Sequence, residues 1–420
     1  MKGLPNAAFA EEPSVPPATR TNELRDAVCS ATIAECMKLR DRGLQSIVLT
    51  GSLARKEATF VRIGGEWNVL GDAEFFLVFT VHAALPSEAC VQATRAAVEA
   101  ELGRRGIRCE IGLSQVHPQY LRRLPRDIFS YELLTCGEVI WGDEKILSII
   151  RPFAASEIVR EDAWRLLCNR LIELLECAAE MPADDSAALL RINYRAVKLS
   201  LDMATSLLVF VGAYAPTYRE RLENLRRLAN NGAFPADLAI DSRHFVEQVA
   251  QCVRIKLATD IGEPKTPSGT WQEAIPMAHS LWRWELAQLT GMDQKSPGDE
   301  IFRRWMRKQA IRERIRGWVY VLRARGWHRS WREWPRWLKL GLRASPRNWI
   351  YRAAYRLMFE VPGMLASSAN LPTGNLDCVA VSNWLPASNS VSPEQETLSW
   401  RTLASLIVAN YKEFLVGTRS

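Results

Sequence analysis

The chain predicts an α/β domain followed by a mostly α-helical region, and three observations lead there. Between residues 44 and 116, short apolar runs of β character are interleaved with one helical pattern. From about residue 157 onward the apolar spacing is helical, with no strand-like alternation. The 420 residues are 48% hydrophobic and 24% charged, an ordinary globular balance long enough for two or three domains.

The elements follow in order. Residues 22–42 place Leu24, Val28, Ala31, Ile33, Met37 and Leu39 at helical spacing, and Gly43 is a suitable stop. Ser46 to Thr50 is a short apolar strand running into Gly51-Ser52, after which residues 53–57 begin a helical turn. Thr59–Ile63 and Glu66–Leu70 flank Gly64-Gly65, the spacing of a two-residue hairpin. Asp72 to Phe79 is a β-prone run with two acids at its start, residues 87–105 form a helix, and Ile107 to Val116 is a further strand. Short helices over 127–135 and 144–150 bracket Val139–Asp143.

Long helical patterns cover 157–181, 186–212, 217–230, 242–260 and 270–291. Residues 361–391, rich in Pro, Ser and Asn, predict an irregular linker, and Ser392-Pro393-Glu394-Gln395 opens a last helix. The expected organisation is a tail (1–21), an α/β domain (22–150), a helical domain (151–295), a basic helical segment (296–360), the linker, and a C-terminal helix (392–420).

The nine cysteines are scattered without a Cys-x-x-Cys, which argues against a disulfide framework or a structural zinc site. Cys29 and Cys36 read as small apolar residues on one buried helix face. The first twenty residues lack the apolar core of a secretory signal, and the apolar stretch Leu199–Tyr214 is interrupted by Asp202 and short for a bilayer. A cytoplasmic location is therefore expected.

Alternation along a strand puts Asp72 and Glu74 on one face and Ala73, Phe75 and Leu77 on the other. Likewise Glu110 opposes the apolar face of Ile107, Cys109, Ile111 and Leu113, so Glu110 joins the acid pair if the two strands are neighbours. Three carboxylates on one face repel unless a divalent cation neutralises them, and Mg²⁺ prefers such oxygen ligands. Gly51 and Ser52 are placed to hold phosphates through backbone amides and the hydroxyl, with Arg55 one turn away as a positive charge.

Taken together, Gly51-Ser52-Leu-Ala-Arg55-Lys-Glu57, Gly71-Asp72-Ala-Glu74 entering an apolar strand, and Cys-Glu110-Ile resemble the nucleotidyltransferase fold superfamily. The branch most similar contains aminoglycoside nucleotidyltransferases and small bacterial nucleotidyltransferase-domain proteins, and the resemblance covers about residues 22–116. It implies a small mixed sheet, metal ligation by Asp72 and Glu74, and a role for Glu110 as third ligand or general base. The implied reaction is Mg²⁺-dependent transfer of a nucleoside monophosphate from an NTP to an unidentified hydroxyl acceptor. The chain departs from the pattern with Gly71 where Ser is common, Lys56 where Gly is common, and a longer stretch from Ser52 to Asp72. A non-catalytic nucleotide-sensing or scaffold protein of the same fold is the alternative.

Tyr194, Lys198 and Asp202 form a polar stripe at i, i+4 and i+8, read either as an i,i+4 salt bridge or as a substrate-facing wall in which Lys198 meets the nucleotide. Tyr218 and Arg221 are candidates for the same wall. His117 follows the strand that carries Glu110 and lies closest to the expected cleft, where a capping or surface role is favoured.

Charge is concentrated late in the chain. Residues 301–360 hold 17 Lys/Arg against three Asp/Glu, a net of +14, while the whole chain is +7 and the remainder therefore −7. Seven tryptophans fall in the same segment: 305, 318, 327, 331, 334, 337 and 349. Trp327, Trp331, Trp334, Trp337 and Leu338 recur at three- and four-residue steps beside Arg329, Arg332, Arg336 and Lys339. Internal packing is the first expectation and an anionic membrane surface the second, with the protein then peripheral at the inner face. Nucleic acid ranks third, because base stacking does not need one aromatic stripe.

Overall fold

The computed structural model describes residues 17–180, 186–257, 267–326, 333–359, 381–387 and 400–419. The described residues divide into two compact units, one built from residues 17–125, 129–153 and 256–257 and the other from the remaining described residues.

The first unit is a five-stranded mixed sheet with helices on both faces. Its elements are α1 (Pro17–Cys36), a 3₁₀ turn, β1 (Leu44–Thr50), the short α2 (Gly51–Ala54), β2 (Phe60–Ile63) and β3 (Glu66–Phe79), then α3 (Glu88–Arg104), β4 (Ile107–Val116), α4 (Pro118–Arg122), α5 (Ile128–Cys136) and β5 (Glu138–Gly142). β3 organises the sheet. Along one edge it pairs antiparallel with β1 through Glu74–Phe79 and with β2 through Glu66–Val69, and along the other it pairs parallel with β4. β5 adds antiparallel to β1.

The hairpin at Gly64-Gly65 forms as expected, both glycines taking positive φ (61° and 88°), the signature of a type I′ turn. Two features differ from the sequence reading. The hairpin's second strand and the acid-bearing strand are one continuous 14-residue β3, with a register irregularity against β4 between Asn68 and Asp72. Val139–Gly142, read only as a segment between helices, belongs to a fifth strand.

Alternation along the strands sorts the core into two layers. Ile47, Leu49, Phe75, Leu77 and Ile111 pack with Val28 and Cys36 of α1 and Val98 and Leu102 of α3. Val48, Phe76, Val78 and Val116 pack on the other face with Leu121 of α4 and Leu133 of α5. Cys29 and Cys36 are buried, and burial pushes their thiols up to about 11 and about 12.

The second unit is helical: α6 (Arg160–Glu180), α7 (Ser186–Phe210), α8 (Tyr218–Asn230), α9 (Ser242–Leu257), α10 (Pro267–Thr290), α11 (Gly298–Lys308), α12 (Ile311–Arg325), α13 (Trp334–Gly341), α14 (Pro346–Phe359) and α15 (Trp400–Arg419). α6 packs on α7, α7 on α10, and α15 on α6, α12 and α14. Its centre is aromatic: Trp164 lies 4.3 Å from Trp305, and Trp282 stacks on Tyr355 at 4.2 Å between ring centroids. Among the described residues no helix is long and apolar enough to cross a membrane.

The basic segment splits between these roles. Trp305 and Trp349 are core residues, and Trp337 is buried with its indole N–H donating to the Pro386 carbonyl at 3.0 Å. Of the expected aromatic stripe, Trp337 packs inward and Trp334 is half-buried, while Trp327 and Trp331 lie outside the described residues. Most of the expected linker, and the Ser392 cap, also lie outside them. Residues 381–387 are described and are not a loose connection: Val381 and Leu385 are buried, and Asn410 on α15 bonds both the amide and the carbonyl of Ala387.

Candidate active site

The strand pairing brings the predicted acids to one face. Asp72 stands directly opposite Glu110 in the parallel β3–β4 register, and Glu74, two residues along β3, stands opposite Gly112. All three share the face of Phe76 and Val78, beyond the end of that apolar layer. Gly112 lies against Glu74, where a Cβ would make an ordinary 3.6 Å contact with Glu74 Cγ.

The Gly51 turn sits over the same place for a topological reason. β1 and β2 run successively along one edge of β3, Thr50 pairing with Glu74 and Thr59 accepting from the Leu70 amide at 2.8 Å. Residues 51–58 are the excursion between them, opposite the Gly71–Ala73 stretch of β3. Gly51 takes φ +69°, and a Cβ built there would lie 2.7 Å from Glu74 Oε2, so the carboxylate rests on the bare glycine. The turn closes with the Glu57 amide donating to the Ser52 carbonyl at 2.8 Å, and Lys56 takes φ +58°.

Electrostatics distinguish the acids. Glu110 accepts from Arg95 of α3 at 3.2 Å, Arg95 also meets Glu99, and the Glu110 side chain remains 70% exposed. Asp72 is exposed and Glu74 half-buried. As the side chains stand, no group of three His, Cys, Asp or Glu among the described residues converges to metal-binding distance. Both Asp72 and Glu110 add to the negative surroundings of Cys109, whose thiol is pushed up to about 12, chiefly by burial.

Arg55 is engaged elsewhere in the unit. Its buried guanidinium meets Glu57 at 3.3 Å and forms a close ion pair with Glu132 of α5, fastening the turn to that helix. Glu132 was not singled out from the sequence as its partner; the pairing spans 77 residues and leaves no local signal. His117 precedes α4, with its ring Nδ1 3.1 Å from the Thr80 carbonyl at the end of β3.

The remaining predicted residues belong to the helical unit. Lys198 does not pair with Asp202. That carboxylate instead accepts from Arg170 Nε of α6 at 2.6 Å, and Lys198 Nζ lies 5.3 Å from the centre of the Tyr194 ring. Burial, with Arg170 nearby, lowers the Lys198 pKa. Arg221 is buried, donating to the Ala215 carbonyl, Thr205 Oγ1, the Tyr214 hydroxyl and the Pro216 carbonyl at 2.6–3.0 Å, while the rings of Tyr214 and Tyr218 flank it. It ties the start of α8 to α7, a structural task. No protein family, no curated protein and no solved structure matches this chain.

Proposed function

We propose that the first unit is a nucleotidyltransferase that moves a nucleoside monophosphate from an NTP to a hydroxyl acceptor, releasing pyrophosphate. The observation that carries this reading is the register of Asp72 opposite Glu110, with Glu74 on the same face against the positive-φ turn at Gly51. Three adjacent carboxylates offer only hard oxygen donors, the chemistry that suits Mg²⁺. Asp72 and Glu74 are the residues that would hold it; when bound, the ion neutralises phosphate charge and polarises the phosphoryl group under attack. The amides of Gly51 and Ser52 orient the outer phosphates. Glu110 at Oε accepts the proton of the acceptor hydroxyl, which then attacks the α-phosphorus as the bond to pyrophosphate breaks. Arg95 holds Glu110 at the rim until acceptor arrives.

A second reading, a nucleotide-sensing or scaffold protein, is favoured by one observation: Arg55, the cation nearest the turn in sequence, is enclosed by Glu57 and Glu132. The two readings separate on incubation with each labelled NTP, Mg²⁺ and a cell extract. Transfer of label to an acceptor, abolished by Asp72→Asn with Glu74→Gln, supports the enzyme. NTP binding without turnover of any kind supports the sensor.

A further inference from the structure

The helical unit presents an apolar groove of about 650 Å³ between α12 and α13. Trp318, Trp334 and Trp337 line it together with Val319, Leu322 and Arg314. The indole N–H groups of Trp318 and Trp337 are satisfied by the Ala344 and Pro386 carbonyls at 3.0 Å, so these two rings present hydrocarbon to the groove. Its lips are aliphatic and unusually exposed: Ile311 at 71% and Ile315 at 60% on α12, Leu338 at 67% and Leu342 at 80% on α13. Contiguous exposed apolar surface of this kind marks an interaction site.

Charge identifies the occupant. One position beyond each lip residue stands an exposed cation: Arg312 and Arg316 on α12, Lys339 and Arg343 on α13. None of the four has an ion-pair partner among the described residues, and the exposed acid beside them is Glu313. Exposed apolar side chains on both helices, each followed by an exposed cation about 100° round the helix, offer the two chemistries that a bilayer surface needs, for acyl chains and for anionic headgroups. We infer that α12 and α13 dock this protein on an anionic lipid surface, the lips entering the acyl boundary and the four cations meeting lipid phosphates. This is independent of the transfer chemistry proposed above, and it rests on aliphatic lips instead of the aromatic stripe expected from the sequence.

The test is co-sedimentation of the full chain with vesicles of phosphatidylcholine alone and of phosphatidylcholine mixed with phosphatidylglycerol. Binding is expected only to the mixed vesicles and is expected to weaken with salt. Leu338→Glu with Leu342→Glu, at positions too exposed to support the core, should abolish it, and each of Arg312→Gln and Arg316→Gln should lower partitioning about fivefold. The inference is overturned if the chain ignores phosphatidylglycerol, or if both sets of variants bind as the parent does. It is also overturned if the leucine pair instead abolishes self-association of a chain that binds no vesicle, since the groove would then seat a second copy.

Discussion

Glu285, on α10, is fully buried, and neither carboxyl oxygen has a hydrogen-bond partner in the structure. Burial pushes its pKa from 4.5 up to about 8. The folded state therefore keeps a proton that the unfolded chain releases between these values, and stability falls as pH rises through that window. A gap of about 3.5 pH units at about 1.4 kcal/mol each gives an upper bound of roughly 5 kcal/mol, reduced by whatever water reaches the carboxyl. Glu285→Gln removes the titration and keeps the shape. Urea unfolding of the helical unit, parent against variant, should show the variant gaining several kcal/mol relative to the parent between pH 5 and pH 8. His279, held neutral by burial with its pKa near 4, costs stability on the acid side in both proteins and cancels in the comparison. A stability difference identical at the two pH values would refute the reasoning, because a carboxyl already ionised in the folded state carries no such linkage.

Glu110→Gln should lower the single-turnover transfer rate by about 10²–10⁴ with NTP affinity nearly unchanged, and a loss confined to affinity would make Glu110 a ligand instead of a base. Gly51→Ala forces a side chain into φ +69° and against Glu74, so turnover should collapse while stability falls by about 1–2 kcal/mol. Gly64→Ala, at φ +61° with nothing within 4 Å, is the control: a similar thermal shift in differential scanning fluorimetry with turnover retained. Arg170→Met leaves Asp202 and Glu173 without their shared cation and should destabilise the helical unit by about 3–5 kcal/mol in chemical denaturation.

Local pattern was sufficient where neighbours in sequence decide the outcome. β4 runs over Ile107–Val116 as its alternation indicates, α3 follows its periodicity within a residue, and Gly64-Gly65 makes its turn. The shared face of Asp72, Glu74 and Glu110 was legible for the same reason, given only that β3 and β4 are neighbours. What escaped was set by distant partners. The hairpin's second strand and the acid-bearing run read as two strands, yet β3 is continuous through Gly71, with β2 paired before it, β1 after it and β4 on both sides of it. β5 is five residues long, and its strand character comes from β1 lying beside it. Arg55 looked available because Glu132 approaches it only after α5 folds back, and Asp202 chose Arg170 on a neighbouring helix over Lys198 on its own. Residues 381–387 have linker composition but are captured by Arg336, Trp337 and Asn410.

The continuity of β3 separates two tasks along a single ladder. Its first third pairs with β2 and its last residues with β1, while β4 runs beside both stretches, with the irregular register between Asn68 and Asp72 acting as the joint. A tag, fluorophore or extra loop placed at Gly64-Gly65 therefore lengthens the sheet's outer tip without re-phasing Asp72 against Glu110. The hairpin is a handle by which the first unit can be labelled or tethered while its carboxylates keep their alignment.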